Sequence, residues 1–533
     1  MSRYWPWLAA AASGGLLAVC YAPARWGGLA WIALIPLVAA VWFSQQSVRR
    51  EGLRLFSLGY VAGLGYFVGS LHWLWTVTVP GWLLLGAYLA IYPAVWALFL
   101  GLVARPVAKP GSSEPVWFFS WSNLRAAALA ACAWVALEWV RSHLFTGFGW
   151  NALGVALVDN LPIIQIADFT GVAGVSFLLV FVNVVAAITL IRLPLEVKRR
   201  KMRAHLDFSL AVVLVALAFG YGVRRIFAAP PDSVEVTFAA VQADVPIQEK
   251  RDPAQETAIL QLHERLSETA LAMSPDLLVW PEAATPQPLF LHQPSWDVVR
   301  RIAGRLRGDF LTGTVHYEEA GDYNSVALLT RTAAEAQFYH KMHLVPFGEY
   351  VPLRDSFPLF AWIVGDLVPE DFDFGPEPTI LEMTAKPVKI GPLICFEDTL
   401  PDIARAMALR GAQVFITVTN DAWFLRTAAA VQHRDNALMR TIEARLPMVR
   451  VANTGVTCAI DSLGRETHRL QTETGSPFLQ GVLFGSFRAP TRPSPTFFVR
   501  HGEVVAGASS LVTLLALLAF GVKEWRMRRK FRA

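Results

Sequence analysis

The chain has 533 residues, of which 54% are hydrophobic and only 17% are charged. This composition is too apolar for a soluble protein of this size, so we expect a membrane protein. The formal net charge of +5 does not indicate nucleic-acid binding, because the basic residues concentrate in loops between apolar runs. The four cysteines form no CxxC pair and have no histidine cluster beside them, so the sequence predicts neither a zinc site nor a disulfide framework.

Long uncharged runs occupy most of residues 1–223 and 504–522, and a run of about 20 apolar residues is long enough to cross a bilayer. Residues 1–223 are predicted to form a membrane domain of seven spans, and residues 504–533 a final span with a basic cytoplasmic tail. The first span is expected to be retained, because it has no clear signal-peptide cleavage site. The eight predicted spans are Tyr4–Ala22, Gly28–Ser44, Leu55–Val77, Trp82–Ala104, Ala126–Val140, Ile163–Ile191, Phe208–Val223 and Val504–Val522.

The basic residues predict the orientation in the membrane. They concentrate in the C-terminal tail and in three loops, Gln45–Arg54, Arg105–Arg125 and Arg192–His205. If the spans alternate, all four segments lie on one side, and the positive-inside rule makes that side cytoplasmic. Residues 224–503 are then expected outside, although Arg224 and Arg225 weigh against this orientation.

Residues 232–490 have the composition of a globular domain and follow a linker at Pro230 and Pro231. Strand-like and helix-like segments alternate along them, which predicts helices covering a sheet. An apolar stretch, Phe357–Pro369, is too short to span and is interpreted either as core or as a segment that contacts the bilayer. The predicted strands are Val234–Gln242, Leu277–Trp280, Phe310–Val315, Ser325–Leu329, Ala336–Tyr339, Val388–Ile394, Val414–Val418 and Met448–Val451. The predicted helices are Pro253–Met273, Trp296–Leu306, Thr399–Gly411 and Val431–Arg445.

Cys395 stands where a buried apolar strand ends, shortly before a predicted helix that has Thr399 at its N-cap and Gly411 at its C′ position. Because the positive end of a helix favours an anion, this position predicts a thiol pKa below the ordinary value of about 8.5. A cysteine after an apolar run is also compatible with an inert core residue. Position alone therefore does not identify a nucleophile.

Two further reactive residues follow predicted strands. Glu282, in WPEAATP, could take a thiol proton, although a glutamate in a loop is more often a solvated surface group. Lys341, in YHKMHLVPFGEYVP, could stabilise an oxyanion, and Glu349 could hold the ammonium in place, although a single lysine is usually exposed. The flanking His340 and His343 are too close together in sequence to form a metal site by themselves.

The motifs WPE, HKMHLVPFGEYVP and CFE, in this order on an α/β domain, resemble the nitrilase superfamily. With eight spans, the chain is most similar to the membrane-bound apolipoprotein N-acyltransferases. The resemblance covers nearly the whole chain and implies an α/β nitrilase-like α-β-β-α sandwich inserted into a multi-span α-helical membrane domain. It implies a catalytic triad at Glu282, Lys341 and Cys395, with supporting carboxylates at Glu349 and Glu397.

The resemblance extends to two shorter segments. TGFGWN, at Thr146–Asn151, is similar to the TGFPW loop of the family, and NDAWF, at Asn420–Phe424, is similar to the segment after the next strand. Trp150 and Phe396 are accordingly expected to contact substrate. The sequence departs from the family pattern at Gly149, Arg251, Phe396 and Leu425, where Pro, Trp, Tyr and Gly are expected.

The resemblance implies that Cys395 accepts an acyl chain from a phospholipid as a thioester and passes it to the amine of a diacylglyceryl-cysteine apolipoprotein. It also implies a bacterial inner membrane location with the catalytic domain on the periplasmic side, and no cofactor, metal or nucleic acid. Three alternatives remain. They are a membrane-tethered amidase or nitrilase acting on a small amide, a transporter with Glu138 as its main ionisable group within the spans, and an assembly protein with an inactive enzyme domain.

Overall fold

The structure is a computed structural model that describes residues 4–43, 51–107, 111, 113–200, 202–330, 335–352, 354 and 371–530. The predicted bilayer-contacting or core segment, Phe357–Pro369, lies outside the described residues. The chain divides into two compact units. One comprises Met1–Ala228 and Glu503–Ala533, and the other comprises Ala229–Gly502.

The first unit is built from helices. Within the described residues, five helical stretches are long and apolar enough to cross a membrane, judged by length and composition: Val79–Leu102, Ser120–His143, Ala167–Arg199, Leu206–Ile226 and Val504–Arg529. Its helices are α1 (Trp5–Val19), α2 (Ile35–Phe43), α3 (Glu51–Ser70), α4 (Val79–Leu89), α5 (Ile91–Leu102), α6 (Ser120–His143), α7 (Leu161–Ile164), α8 (Ala167–Arg199), α9 (Leu206–Ile226) and α16 (Val504–Lys530).

Three of the eight predicted spans correspond to shorter or less apolar helices. The first matches α1, which has 15 residues, and the third matches α3, which a 3-10 helix over His72–Thr76 follows. The second is interrupted between a 3-10 helix, Gly27–Trp31, and α2. α1 is shorter than the roughly 20 apolar residues of a full crossing, whereas α3 has 20 residues, and the number of spans stays a prediction.

The interruption before α2 is stabilised by one polar side chain of α8. Asn183 Oδ1 accepts a hydrogen bond from the Leu34 N–H at 2.9 Å, and its Nδ2 donates to the Ala30 carbonyl at 2.8 Å. Backbone polar groups in an apolar environment need such partners. Asn183 therefore allows the chain to leave the helical conformation without burying unpaired backbone groups.

Among its described residues, the second unit has two six-stranded mixed sheets. Their strand orders are β12-β1-β2-β3-β4-β5 and β11-β10-β9-β8-β7-β6. The strands are β1 (Ser233–Gln242), β2 (Leu277–Val279), β3 (Asp309–Glu318), β4 (Gly321–Leu329), β5 (Ala336–His340), β6 (Leu381–Glu382), β7 (Lys389–Ile394), β8 (Val414–Thr419), β9 (Met448–Ala452), β10 (Cys458–Ile460), β11 (Glu466–Arg469) and β12 (Gly481–Pro490). Its helices are α10 (Ile247–Lys250), α11 (Glu256–Ala272), α12 (Gln293–Arg305), α13 (Pro401–Leu409), α14 (Ala429–Ala444) and α15 (Phe497–His501).

Helices cover the outer faces of the two sheets. On the first sheet, Val298 and Ile302 of α12 are spaced four residues apart, and they pack with Leu278 and Phe310 in one buried apolar cluster. On the second sheet, α13 contacts β7, and the sheets contact each other through β4 and β7 and through β1 and β9. The unit is therefore the predicted α-β-β-α sandwich.

The eight strands predicted in this unit are present, with ends that differ by a few residues. Four strands, β6, β10, β11 and β12, were not predicted. Strand β12 pairs antiparallel with β1 along the full length of both strands. Its sequence, GVLFGSFRAP, has two glycines and an irregular burial pattern rather than strict alternation, so periodicity gives a weak signal for it.

Candidate functional site

Glu282, Lys341 and Cys395 lie just past the ends of β2, β5 and β7. The first two strands belong to one sheet and the third to the other, so the two halves of the sandwich supply the three side chains. Lys341 Nζ lies 3.6 Å from Glu282 Oε1. The Cys395 thiol interacts electrostatically with both groups. The structure thus brings the three predicted catalytic residues together.

Lys341 is held as a buried cation. Its side chain is 1% exposed, and Nζ lies 2.8 Å from the Glu349 carboxylate, which also accepts the Val345 N–H at 2.8 Å. Burial alone would lower the pKa of Lys341, but the charges of Glu349 and Glu282 outweigh this effect and raise it above the ordinary value. The ammonium is therefore charged and fixed in position, as oxyanion stabilisation requires.

Asn324 connects the two carboxylates around Lys341, and sequence reasoning missed it. Its Nδ2 donates to Glu282 Oε1 at 2.9 Å and to Glu349 Oε1 at 2.7 Å. Its backbone carbonyl accepts the Lys341 N–H at 2.8 Å, next to β5. A neutral amide donor thus separates two like charges that would otherwise repel each other.

The backbone at Glu282 is fixed from two sides. Lys250 Nζ donates to the Glu282 carbonyl at 3.1 Å, and burial lowers the pKa of this lysine to about 8 despite the nearby Glu282 charge. On the other side, a Cβ added to Gly313 of β3 would lie 2.7 Å from the Cα of Glu282. Glycine at this position therefore permits the close approach of the Glu282 turn to the sheet.

Cys395 has φ +53°, in the left-handed region that residues with a side chain rarely adopt. Its carbonyl oxygen lies 3.3 Å from His433 Nε2. Such a conformation persists only where surrounding contacts enforce it, and it is common at functional sites. The chain therefore turns sharply at the thiol, between the end of β7 and a 3-10 helix over Cys395–Thr399.

The expected lowering of the thiol pKa by a helix N-terminus is wrong. The 3-10 helix separates Cys395 from α13, whose N-cap is Leu400, and Thr399 instead donates its hydroxyl to the Phe396 carbonyl at 2.8 Å. Burial, followed by the charge of Glu282, raises the pKa of Cys395 well above the ordinary value of a thiol. The resting residue consequently keeps its proton and needs a base.

Glu397 links the Lys341 loop to the end of β7. Its buried carboxylate accepts the Tyr339 hydroxyl at 2.9 Å and the backbone N–H groups of Met342, His343 and Ile394 at 2.7, 3.1 and 2.8 Å. Burial raises its pKa to about 7, although these donors favour the charged form. Its carboxylate therefore joins the two sheets beside Cys395, and its supporting role in catalysis stays a prediction.

Four buried charged residues form a cluster next to the Cys395 backbone. Arg450 lies 3.2 Å from Asp398 and 3.1 Å from Asp421, while His433 lies 2.9 and 2.8 Å from the same two carboxylates. Burial opposes protonation of His433, but Asp398 and Asp421 raise its pKa to about 9. With two cations and two anions, the cluster is electrically balanced in the domain interior.

The two predicted substrate-contacting residues lie in different units. Phe396, next to the nucleophile, stacks on His343 with ring centroids 5.7 Å apart. Trp150 is 2% exposed within the helical unit, where its ring lies 5.4 Å from that of Trp73 and its carbonyl accepts from Arg141. Contact of either residue with substrate stays a prediction.

Two departures from the family pattern have visible structural consequences. Arg251 places its guanidinium over the ring of Trp423, 4.7 Å from the ring centroid, so the arginine makes a cation–π contact where a Trp is expected. Leu425 adopts φ +52° and ψ −154°, a conformation that is essentially restricted to glycine. The usual Gly at that position would adopt it without strain.

The sequence contains partial signals for the residues that were missed. Asp398 directly follows the CFE motif, and Asp421 lies within NDAWF. Both aspartates could therefore have been identified from the motifs beside them. Asn324, His433 and Arg450 lie far along the chain from the motifs that they contact, so no local pattern identifies them.

Each of the two units matches the sequence model of a known protein family. The sequence model for the apolipoprotein N-acyltransferase N-terminal domain matches residues 13–185, and that for carbon-nitrogen hydrolase matches residues 237–479. An apolipoprotein N-acyltransferase of Geobacter metallireducens is 35% identical over 97% of this chain and 96% of its own length. One of Allorhizobium ampelinum is 35% identical over 78% of this chain and 77% of its own. A solved CN-hydrolase superfamily protein from Xanthomonas campestris is 20% identical over 48% of this chain and 90% of its own, with a TM-score of 0.36, which is too distant to bear on activity.

Proposed function

This chain belongs to the apolipoprotein N-acyltransferase family, and we propose that it moves an acyl chain from a phospholipid to the N-terminal amine of a diacylglyceryl-cysteine apolipoprotein through a thioester on Cys395. The acceptor class follows from the name that the relatives share. The residue assignment rests chiefly on one observation, the buried Lys341 ammonium 3.6 Å from Glu282 and in electrostatic contact with the Cys395 thiol.

Glu282 is the proposed general base. Because burial raises the pKa of Cys395, the thiol retains its proton until a base removes it. Asn324 and Lys341 orient the Glu282 carboxylate by contacts of 2.9 and 3.6 Å. Proton transfer to Glu282 leaves a thiolate, which Lys341 stabilises through its positive charge.

Acylation follows from attack of that thiolate on the ester carbonyl of a phospholipid. The carbonyl oxygen becomes an oxyanion, and Lys341 supplies a fixed positive charge that stabilises it. As the tetrahedral intermediate collapses, the C–O bond breaks, Glu282 returns its proton to the leaving alkoxide, and a lysophospholipid departs. Cys395 then holds the acyl chain as a thioester.

In the second half-reaction, the acceptor amine is the nucleophile and Cys395 is the leaving group. The α-amine of the diacylglyceryl-cysteine attacks the thioester carbonyl, and Glu282 accepts the proton that the amine loses. The C–S bond breaks, the thiolate leaves, and the proton on Glu282 returns to it. One amide bond has formed, one ester bond has been broken, and the enzyme is regenerated.

Intact mass spectrometry of the purified protein tests this function. After incubation with a phospholipid of known chains and no acceptor, we expect one added acyl group on the wild-type chain, on Cys395, and removable by hydroxylamine. Cys395→Ala and Glu282→Gln should show no adduct at an unchanged unfolding temperature. Cys458→Ala is the matched control, because Cys458 is completely buried in the same unit and should not affect acylation.

The same experiment distinguishes the amidase alternative. An acyltransferase accumulates the thioester until an amine acceptor, such as a diacylglyceryl lipopeptide, is added. A hydrolase using water would release free fatty acid without that acceptor and would show little adduct. Normal adduct formation by a folded Glu282→Gln protein would contradict the assignment of the base.

We also propose that the catalytic unit lies on the periplasmic side of a bacterial inner membrane. The basic loops and the basic C-terminal tail support this orientation through the positive-inside rule. A reporter inserted near Asp322 should read periplasmic, whereas reporters near Lys198 or after Ala533 should read cytoplasmic. A cytoplasmic signal near Asp322 would refute this orientation.

A further inference from the structure

Strands β3, β4 and β5 present polar residues on both faces. In the antiparallel pairing, His316 lies opposite Tyr323, and Ser325 lies opposite both Thr314 and His340. Because neighbouring residues in a strand alternate between faces, these side chains lie on the face opposite to Asn324 and Lys341. The sheet therefore carries a second polar cluster behind the catalytic one.

His316, Glu318 and His340 form this second cluster. One ligand atom from each lies within 4.8 Å of the others. Glu318 Oε1 lies 3.2 Å from His316 Nδ1 and 3.2 Å from His340 Nε2. The His340 ring thus lies beside that of His316 of β3, with ring centroids 5.6 Å apart.

Ser325 holds the His340 ring through its Nδ1 nitrogen. The Ser325 hydroxyl oxygen lies 3.2 Å from the Tyr323 carbonyl oxygen and 2.8 Å from His340 Nδ1. When the hydroxyl donates to Tyr323 and accepts from Nδ1, the neutral ring has its lone pair on Nε2, directed at the Glu318 carboxylate 3.2 Å away. A cation bound between Nε2 and Glu318 is compatible with this arrangement.

His316 contributes a second available nitrogen. Its Nδ1 is buried and makes no hydrogen bond within the described residues, even though Glu318 Oε1 is 3.2 Å away. The ring is held by stacking on Phe338, with centroids 4.0 Å apart and planes at 2°. Its orientation is therefore fixed before any ligand binds.

We propose that His316, Glu318 and His340 bind a divalent transition-metal ion, for which Zn²⁺ is the best match. Two imidazole nitrogens and one carboxylate oxygen are a ligand set that Zn²⁺ accepts, and bonds of about 2.0–2.1 Å in a tetrahedron place ligand atoms about 3.3 Å apart. Both contacts to Glu318 have nearly this length. Mg²⁺ and Ca²⁺ prefer all-oxygen ligands and fit this set less well.

The fourth position has access to solvent. The Glu318 side chain is 41% exposed, whereas those of His316 and His340 are 17% and 13% exposed. Water can therefore complete the tetrahedron from the Glu318 side. Ser325 has the position of an outer hydrogen-bond partner, the kind of group that orients a metal-binding histidine.

Zinc titration of the full-length protein in detergent tests this site. The protein should be prepared without a polyhistidine tag, treated with EDTA and dialysed before addition of ZnCl₂. We expect one Zn²⁺ per chain, an increase in the unfolding temperature because the folded state binds the ion, and a tetrahedral absorption spectrum when Co²⁺ replaces Zn²⁺. His316→Ala and Glu318→Gln should abolish binding, and Ser325→Ala should weaken it about 10- to 100-fold.

Two matched controls keep the test specific. Glu319→Gln removes the same charge from the next, exposed residue, and His292→Ala removes a histidine outside the cluster. Both should bind Zn²⁺ as tightly as the wild type.

Absence of stoichiometric binding by the wild type, or binding unaffected by the three cluster variants, would overturn the proposal. The Glu318–His340 contact would then be an ordinary ion pair with a protonated imidazole. If His316→Ala fails to fold without metal, Ser325→Ala decides the outcome, since it leaves all three ligands in place.

Discussion

Lys341 Nζ lies 2.8 Å from the Glu349 carboxylate, and the two side chains are 1% and 12% exposed. A lysine ammonium on a flexible stem is thereby converted into a charge of fixed position. Lys341 Nζ also lies 3.6 Å from Glu282 Oε1. Glu349 therefore influences both the proposed oxyanion stabiliser and the proposed base.

Glu349→Gln keeps the shape of the side chain but removes its charge. Lys341 should then draw closer to Glu282 and make that carboxylate a weaker base, so we expect kcat/KM for acyl transfer to fall on the order of 10- to 100-fold. Glu382→Gln is a suitable control, because the Glu382 side chain is 63% exposed. Full activity of a folded Glu349→Gln protein would show that Lys341 needs no second carboxylate.

Asn324→Asp replaces the bridging donor with a third acceptor between two carboxylates. Repulsion among the three should raise the pKa of the base, so the acid limb of the pH profile of kcat/KM should move to higher pH. The measurement is the rate of acyl transfer across pH, with unfolding temperature recorded for each buffer. An unshifted acid limb in a folded variant would exclude the bridging role.

The His433 cluster predicts a pH dependence of stability. The pKa of His433 is raised to about 9 in the folded chain from an ordinary 6.5. Its stabilising contribution is therefore complete below pH 6.5 and is lost as the pH rises through 9. The expected loss is about 2 kcal/mol between pH 6.5 and pH 8.

The matched comparison for this prediction is His433→Gln. Lys250, whose pKa is lowered to about 8, contributes the opposite slope above that pH, because an unfavourably buried ammonium loses its charge there. The difference in unfolding temperature between wild type and variant is accordingly the informative quantity. That difference should shrink from pH 6.5 to pH 8, and a constant difference would mean that His433 is neutral when folded.

Leu425→Gly should stabilise the catalytic unit. Leu425 is 46% exposed and has φ +52° with ψ −154°, a conformation that costs a non-glycine residue of order 1–3 kcal/mol. Part of this strain is offset by the entropy that glycine loses on folding, so we expect a net gain of about 1 kcal/mol. Leu409→Gly, at an exposed position at the end of a helix, should instead destabilise. Differential scanning fluorimetry compares the two variants, and a lower unfolding temperature for Leu425→Gly would refute the strain.

Local patterns predicted most of the second unit and its family correctly. Eight strands and four helices were identified from apolar runs and their caps. The helix that follows Cys395 ends at Leu409, and Gly411 occupies the C′ position as expected, with φ +93°. The motif residues Glu282, Lys341 and Cys395 were visible because each follows a strand. The family resemblance is confirmed by relatives that match nearly the whole chain.

The errors have a common physical origin in long-range contacts. Strand β12 forms by pairing with β1, which lies more than two hundred residues earlier, and its own sequence alternates poorly. The pKa of Cys395 depends on burial and on Glu282, which come from tertiary packing rather than from the next helix. The non-helical turn within the predicted second span pairs its backbone groups with Asn183, a residue of α8 that no local window includes.

The hydrogen bonds of Glu397 have a mechanical consequence. Three of its four donors, Tyr339, Met342 and His343, belong to β5 or follow it, while Ile394 ends β7 in the opposite sheet. A sliding displacement of one sheet along the other would stretch these bonds together, so the sandwich resists shear at this point. Met342 follows Lys341 and Ile394 precedes Cys395, so these hydrogen bonds hold the two sheets in register beside both residues.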